Sequence, residues 1–569
     1  MEDTKDTKEG LEVMHHEDIL AQLPHSEDER PWYRQPELRK LYMLMPFLFF
    51  GSTTLGYDGS LLNGLQTMPA WQSFFHHPTG SHLGLLGAFP GFGGFAVLLF
   101  TPYVADYCGR RLGTAVGCCL VILGAAIQAC PQPNNPDAMF LAGRFIMGMG
   151  SNISNATCPL LITEVAHPRH RGRVTTIYNT VWYLGAIVAA WTTFGTLNHL
   201  VGDLSWRLPV GLQCAMPGIQ LLTLWMVPES PRWLIAKGKY AKAKEILTKY
   251  HGNGIETDFV NWEFSEISQT IELEEAASAS SGWYELVRTP GNRKRCLLII
   301  LTAIFSQCSG NGLVSYYLSS VLNTIGITNP SNQAAINGGL TIWCWLVSLG
   351  CAFLVDRVGR RVLFLTAGVG MLVAFSVWTA CSAVYAKTGD SAAGSAVLAM
   401  IFLFYGAAGF AWPGLTVSYT VEILPFKIRA KGLTLCFIGT SLAGIFNQYV
   451  NPIGLEALGW KFYIVYIAVL VLECLAIYFL YVETRGPVSP VFSQTRELLL
   501  RTFPRPWKRS LYFSMAQTRM LQVPPCPWSE SGRLRPPLIK HNSKRRGGGR
   551  HSYLDTRDTG HLRLNTITT

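Results

Sequence analysis

The sequence predicts an all-α membrane protein: twelve transmembrane helices in two pseudo-symmetric six-helix halves, with a cytoplasmic helical linker between them. Three observations carry this reading. Charged residues are 15% of the 569 and hydrophobic residues 49%, where a soluble globular chain is about 25% charged. About twelve apolar runs, each long enough to cross a bilayer, follow one another between residues 41 and 486. Two unrelated charged motifs recur in the same order about 250 residues apart. So little charge cannot cover a soluble surface of this size, which excludes the two or three soluble domains that length alone suggests.

Residues 1–40 form an acidic N-terminal segment, with ten acidic and three basic residues in the first thirty. Apolar runs near 41–63, 83–105, 112–130, 138–160, 174–197 and 208–227 compose an N-terminal six-helix half, 41–227. Lipid cannot satisfy unpaired backbone groups, and runs of this length exceed barrel strands, so they are helices. Residues 228–295 are charged, with Lys237, Lys239, Lys242, Lys244 and a Glu-rich stretch at 263–275, and read as linker helices. Runs near 296–320, 334–355, 362–384, 396–420, 433–453 and 461–481 make the C-terminal half, 296–486. Residues 487–569 hold 15 Lys or Arg against 4 Asp or Glu, which accounts for the whole net charge of +11. This basic tail reads as a disordered, solvated cytoplasmic segment and not as a nucleic-acid site.

Connections 64–82, 131–137, 198–205 and 323–333 contain no Lys or Arg, while the alternating ones are basic. Basic loops stay in the cytoplasm, so both termini are expected there. The cysteines lack the spacings of metal sites or disulfide frameworks and read as small buried residues; no metal is expected.

The repeat sits in the basic turns. Asp106-Tyr107-Cys108-Gly109-Arg110-Arg111 follows the second run, and Asp356-Arg357-Val358-Gly359-Arg360-Arg361 follows the eighth. Glu164 precedes Arg171 by seven residues after the fourth, and Glu422 precedes Arg429 by seven after the tenth. A carboxylate at one helix end can face the Arg pair at the next, and several such pairs together can lock two halves at the cytoplasmic mouth. Exposed pairs contribute only about 0–1 kcal/mol each, so they must act as a set.

These residues resemble the sugar porter branch of the major facilitator superfamily. The resemblance spans nearly all of 41–486. It adds Gly56-Tyr57-Asp58, Gly143-Arg144, Pro228-Glu229-Ser230-Pro231-Arg232-Trp233 and Glu483-Thr484-Arg485-Gly486 to the repeated turns, and brings Glu229 and Arg232 into the expected gate. It implies the superfamily fold, and sugar movement by alternating access. Gly56-Tyr57-Asp58-Gly59-Ser60-Leu61-Leu62-Asn63-Gly64 and Gln307-Cys308-Ser309-Gly310-Asn311-Gly312 look like the fungal lactose permease and cellodextrin transporter group. The departures fall at sugar-contact positions: Ser306 and Asn179 stand where the family has Gln, and Pro413-Gly414 reverses its Gly-Pro. After Gly486, Pro487-Val488-Ser489-Pro490 breaks the acidic helix usual in the family.

A neutral sugar stripped of water needs amides, which donate and accept, and aromatic faces. Asn179, Gln307, Asn311, Asn447 and Gln448 supply the amides, and Trp412 and Tyr419 the rings. Each also has a plainer reading, as an interhelical hydrogen bond or as packing. Asp58 is an intramembrane acid, costly and rarely idle. The resemblance implies that it couples transport to protons, with Arg144 as its partner; the plainer reading is a permanent ion pair. The expectation is thus a monomeric, multi-pass plasma-membrane importer of a disaccharide, proton-coupled and without a cofactor. A non-transporting sugar sensor is the alternative, and a uniport hexose facilitator the nearest variant. No nucleophile elbow or phosphate loop supports an enzyme.

Overall fold

The computed structural model describes residues 30–280, 282–354 and 358–484. The acidic segment before residue 30, the tail beyond 484 and Asp356 of the expected gate lie outside them.

The N-terminal half opens with α1 (Pro36–Leu65), which crosses as one helix, and a short α2 (Pro69–Phe74). The second crossing is α3 (Gly80–Leu98) and α4 (Thr101–Cys108); the third and fourth are α5 (Arg110–Ala129) and α6 (Pro136–Val165). The fifth is α7 (Arg171–Thr180) with α8 (Trp182–His199), and the sixth is α9 (Leu204–Leu212) with α10 (Ala215–Leu224). Four helices then precede the second half: α11 (Pro231–Ala236), α12 (Tyr240–Tyr250), α13 (Asp258–Ser280) and α14 (Glu285–Arg288). The seventh crossing is α15 (Pro290–Cys308) with α16 (Asn311–Asn323), and the eighth and ninth are α17 (Pro330–Leu354) and α18 (Arg360–Thr388). The tenth is α19 (Ser391–Ala408) with α20 (Trp412–Ile423); α21 (Phe426–Leu458) and α22 (Tyr463–Leu480) complete the set.

The breaks follow from the sequence. Pro102, Pro217 and Pro413 lack the N–H that would bond to the carbonyl four residues back, and each stands just beyond a break. Gly310, between α15 and α16, has φ +96°. That backbone is strained for any residue with a Cβ, and a Cβ there would also lie 3.1 Å from the Phe375 ring.

Small residues let the helices approach. A Cβ on Gly124 would lie 2.6 Å from the Gly143 carbonyl, so α5 and α6 touch backbone to backbone. Across the halves, α3 packs along α21 and α8 along α17, and α1 meets α16. Second with eleventh and fifth with eighth are equivalent pairs under a two-fold repeat. Large apolar side chains such as Leu222, Phe446 and Leu472 face outward, as suits a lipid solvent.

Among the described residues, eight helical stretches are long and apolar enough to cross a membrane. The first, fourth and sixth crossings fall short of that composition. They are the ones that carry Asp58, Arg144 and Gln213, so the polar residues that weaken the hydropathy signal converge on one interior.

Candidate functional site

In the first half the site begins at Asp58, about two turns before the end of α1. Its Oδ1 accepts a hydrogen bond from Gln213 Nε2 at 2.8 Å, and its Oδ2 one from Ser151 Oγ at 3.3 Å. The break between α9 and α10 is what turns Gln213 inward. Ser151 lies two turns after Arg144 on α6, hence on the same face. Arg144 is 4% exposed, stands over the Phe140 ring at 5.8 Å, and leaves Nε and Nη1 without a partner. Asp58 and, across the interface, Tyr316 and Tyr317 lie within its electrostatic reach. The expected Asp58–Arg144 ion pair is therefore not formed in this conformation; an amide and a hydroxyl hold the carboxylate instead. Sequence reasoning misses Gln213 and Ser151, although a lone Gln in an otherwise apolar run is a readable signal.

In the second half the break at Ser309-Gly310 organises the polar side chains. Gln307 is half-buried, and its amide makes only a 3.5 Å contact to Ser306 Oγ, which leaves it available to a ligand. Asn311 is committed: its Nδ2 donates to the Ser306 carbonyl at 3.1 Å and its Oδ1 accepts from Gly312 N at 2.9 Å. Asn447 donates to the Gln307 carbonyl and accepts from Asn451 at 2.7 Å and from the Tyr466 hydroxyl at 2.8 Å. For these two amides the helix break and interhelical bonding have taken the capacity a sugar would need. Gln448 is half-buried beside the Tyr316 hydroxyl, and Asn179 is exposed on α7. The Trp412 ring packs edge-on against Phe364, with Nε1 unpartnered. Tyr419 is fully buried elsewhere, stacked on Tyr481 and bonded in both directions to the Val482 backbone at the end that carries the basic turns. It does not join the amides.

The opposite end is sealed across the halves. Tyr317 departs from helical geometry inside α16, so the Leu318 N–H and Val314 carbonyl lose each other. Asn63 of α1 replaces both: Nδ2 donates to Val314 O at 2.8 Å and to Ser315 O at 3.0 Å, and Oδ1 accepts from Leu318 N at 2.9 Å. Gln66 Nε2 donates to Tyr316 O at 2.7 Å, and Thr79 Oγ1 to Glu456 at 3.0 Å.

At the basic end, each half closes on itself. Arg110 pairs with Glu164 at 3.0 Å and Asp106 at 3.2 Å, and Ser230 Oγ donates to Glu164. The Glu229 carboxylate accepts from the Arg111 backbone N–H at 3.2 Å, at the positive end of the α5 dipole. Burial raises the Glu229 carboxyl above its ordinary range, and the N–H groups of Ser230 and Arg111 offset part of this. The second half repeats the plan. Arg360 pairs with Glu422 at 3.3 Å, Thr484 Oγ1 donates to Glu422, and Glu483 accepts from the backbone N–H groups of Arg360 at 2.8 Å and Arg361 at 3.1 Å. Glu229-Ser230 and Glu483-Thr484 are thus equivalent pairs, a match that sequence alone does not reveal. Arg232 pairs with Glu274 of α13 at 2.6 Å, and Arg171 Nε has no hydrogen-bond partner. The gate bonds described here, Arg110 to Glu164 and Arg360 to Glu422, each join groups of one half, while at the far end hydrogen bonds run across the halves.

The family model described as sugar (and other) transporter matches residues 44–488. The high glucose sensor RGT2 of Saccharomyces cerevisiae is 28% identical, over 77% of this chain and 58% of its own length. The low-affinity glucose transporter HXT3 of the same yeast is 26% identical, over 82% of this chain and 83% of its own. A partially occluded, inward-open structure of the xylose transporter XylE from E. coli superposes with a TM-score of 0.65 at 19% identity, covering 79% of this chain and 99% of that one. The last comparison bears on fold alone.

Proposed function

The chain belongs to the sugar (and other) transporter family, and from that premise we propose that it imports a neutral sugar of the disaccharide class with a proton, by alternating access across the plasma membrane. It is a multi-pass membrane protein of a transporter family, not an enzyme. The positive-inside rule assigns the basic end to the cytoplasm, so the seal across the halves lies at the outer face. Gln307, Gln448 and Trp412 retain unused donors, acceptors or a ring for the sugar, and Asn179 is exposed on α7.

The observation that carries the coupling is the state of Asp58. Its carboxylate takes two donors and no cation, while Arg144 waits nearby with unpaired N–H groups. A proton from outside would neutralise Asp58, and release inside would leave the carboxylate to the two donors, Gln213 and Ser151. The test is accumulation of radiolabelled lactose, cellobiose and glucose in vesicles under an inward proton gradient. Asp58→Asn is expected to abolish uphill accumulation of whichever sugar is carried, while counterflow survives. Full accumulation by Asp58→Asn would take the coupling role away from Asp58, whereas wild-type counterflow without any uphill accumulation would leave a uniporter.

The sensor alternative is supported by the likeness to RGT2. Binding of sugar without counterflow would favour it.

A further inference from the structure

Glu473 on α22 is a second acid inside the membrane body, and the mechanism above does not use it. It is fully buried. Its Oε2 meets Ser309 Oγ, and its Oε1 has no hydrogen-bond partner. No cation among the described residues pairs with it. The groups that face it are Ser309 of α15–α16, the Trp412 indole of α20, whose N–H is also unpartnered, its neighbour Cys474 and Gly368 of α18, all uncharged.

The hydrogen inventory bears on its protonation. Ser309 Oγ touches both Glu473 Oε2 and the Phe305 carbonyl. A hydroxyl has one proton and a carbonyl only accepts. If Ser309 donates to Phe305, the bond to Glu473 needs its proton from the carboxyl. A buried carboxylate with no cation, and only the Ser309 hydroxyl and the Trp412 indole N–H near it, would be costly, so burial points the same way. Asp58 is the contrast, since Arg144 lies within electrostatic reach and both Gln213 and Ser151 donate to it.

We propose that Glu473 is held as a neutral carboxylic acid whose proton pins the break in the seventh span, through Ser309 to the Phe305 carbonyl. That break is the joint between α15 and α16, and α16 is the half-helix whose carbonyls bind Asn63 and Gln66 in the outer seal. Glu473 is then a positioning residue for the external gate, a consequence that rests on the transport reading; the pinned proton does not.

Two readouts in lipid nanodiscs test it, neither needing sugar, so a failed transport reading leaves them decisive. The infrared difference between wild type and Glu473→Gln at neutral pH is expected to show a protonated-carboxyl C=O stretch lost in the variant. Backbone hydrogen exchange over 305–313 is expected to stay at the wild-type rate in Glu473→Gln, whose amide still donates. It should rise roughly tenfold, the equivalent of one lost buried hydrogen bond, in Glu473→Met, which fills the space without a donor, and in Ser309→Ala. Ser309→Ala carries the test should Glu473→Met not fold. No carboxyl band, a Gln variant as loose as Met, or donor-free variants as tight as wild type would each overturn the proposal.

Discussion

Replacing Asn63 by Ala removes three hydrogen bonds between α1 and α16 at one stroke. In membrane interiors such bonds average about 0.6 kcal/mol each, so the sealed state loses about 2 kcal/mol relative to one in which the outer end has parted and water reaches the same groups. That is about a thirtyfold shift in the equilibrium. The loss falls on the sealed state alone, because Leu318 N and Val314 O depend on Asn63 only while α1 and α16 are in contact. Thr79 and Glu456 face each other across the same seal at 3.0 Å, so spin labels at these two positions report its opening. In nanodiscs the wild-type background should give one short distance, and Asn63→Ala a large new population at longer distance. A folded Asn63→Ala protein with an unchanged distance distribution would refute the reasoning, since the seal would then rest on apolar packing.

Gly310→Ala forces a Cβ into the left-handed region and against Phe375; it should cost at least about 1–2 kcal/mol, read as a lower thermal unfolding midpoint, and an unchanged midpoint would mean that the break is not needed. His167, outside the membrane spans and stacked on Phe259, is pushed down to about 2, first by burial and then by His251, His170 and the neighbouring Arg169 and Arg171. Its folded value lies below its unfolded one, so acid favours the unfolded side: stability is full above about pH 6.5 and falls as pH drops below it. His167→Phe should flatten that acid limb of the unfolding midpoint; equal acid slopes for wild type and variant would show that His167 is not its source.

The equivalence of the two basic ends is only partly legible in the sequence. Asp106-Arg110 and Asp356-Arg360 announce themselves because a short turn fixes their spacing. Glu229-Ser230 and Glu483-Thr484 share little surrounding sequence. Only the fold shows that each pair sets a carboxylate on a helix N-terminus and a hydroxyl on the gate acid. Asn311 and Asn447 show the converse. As isolated amides in apolar runs they resemble sugar ligands, yet the break at Gly310 and the approach of Tyr466 use them up. Tyr419 is misplaced by the same ambiguity, because a ring on a helix does not reveal how far along the membrane normal it points.

What the chain determined by itself is what depends on composition and short spacing. A low charge fraction and long apolar runs demand helices in lipid, basic turns predict orientation, and matched motifs reveal two halves. Tertiary structure alone decided which polar groups meet. Asp58 is hydrogen-bonded to Gln213 and Ser151 and not to Arg144, and one Asn63 amide mends a kink in the other half. Those outcomes depend on where helices break and how they rotate against one another. Such rotations are settled by glycine contacts and side-chain packing from distant segments, and local sequence carries no record of them.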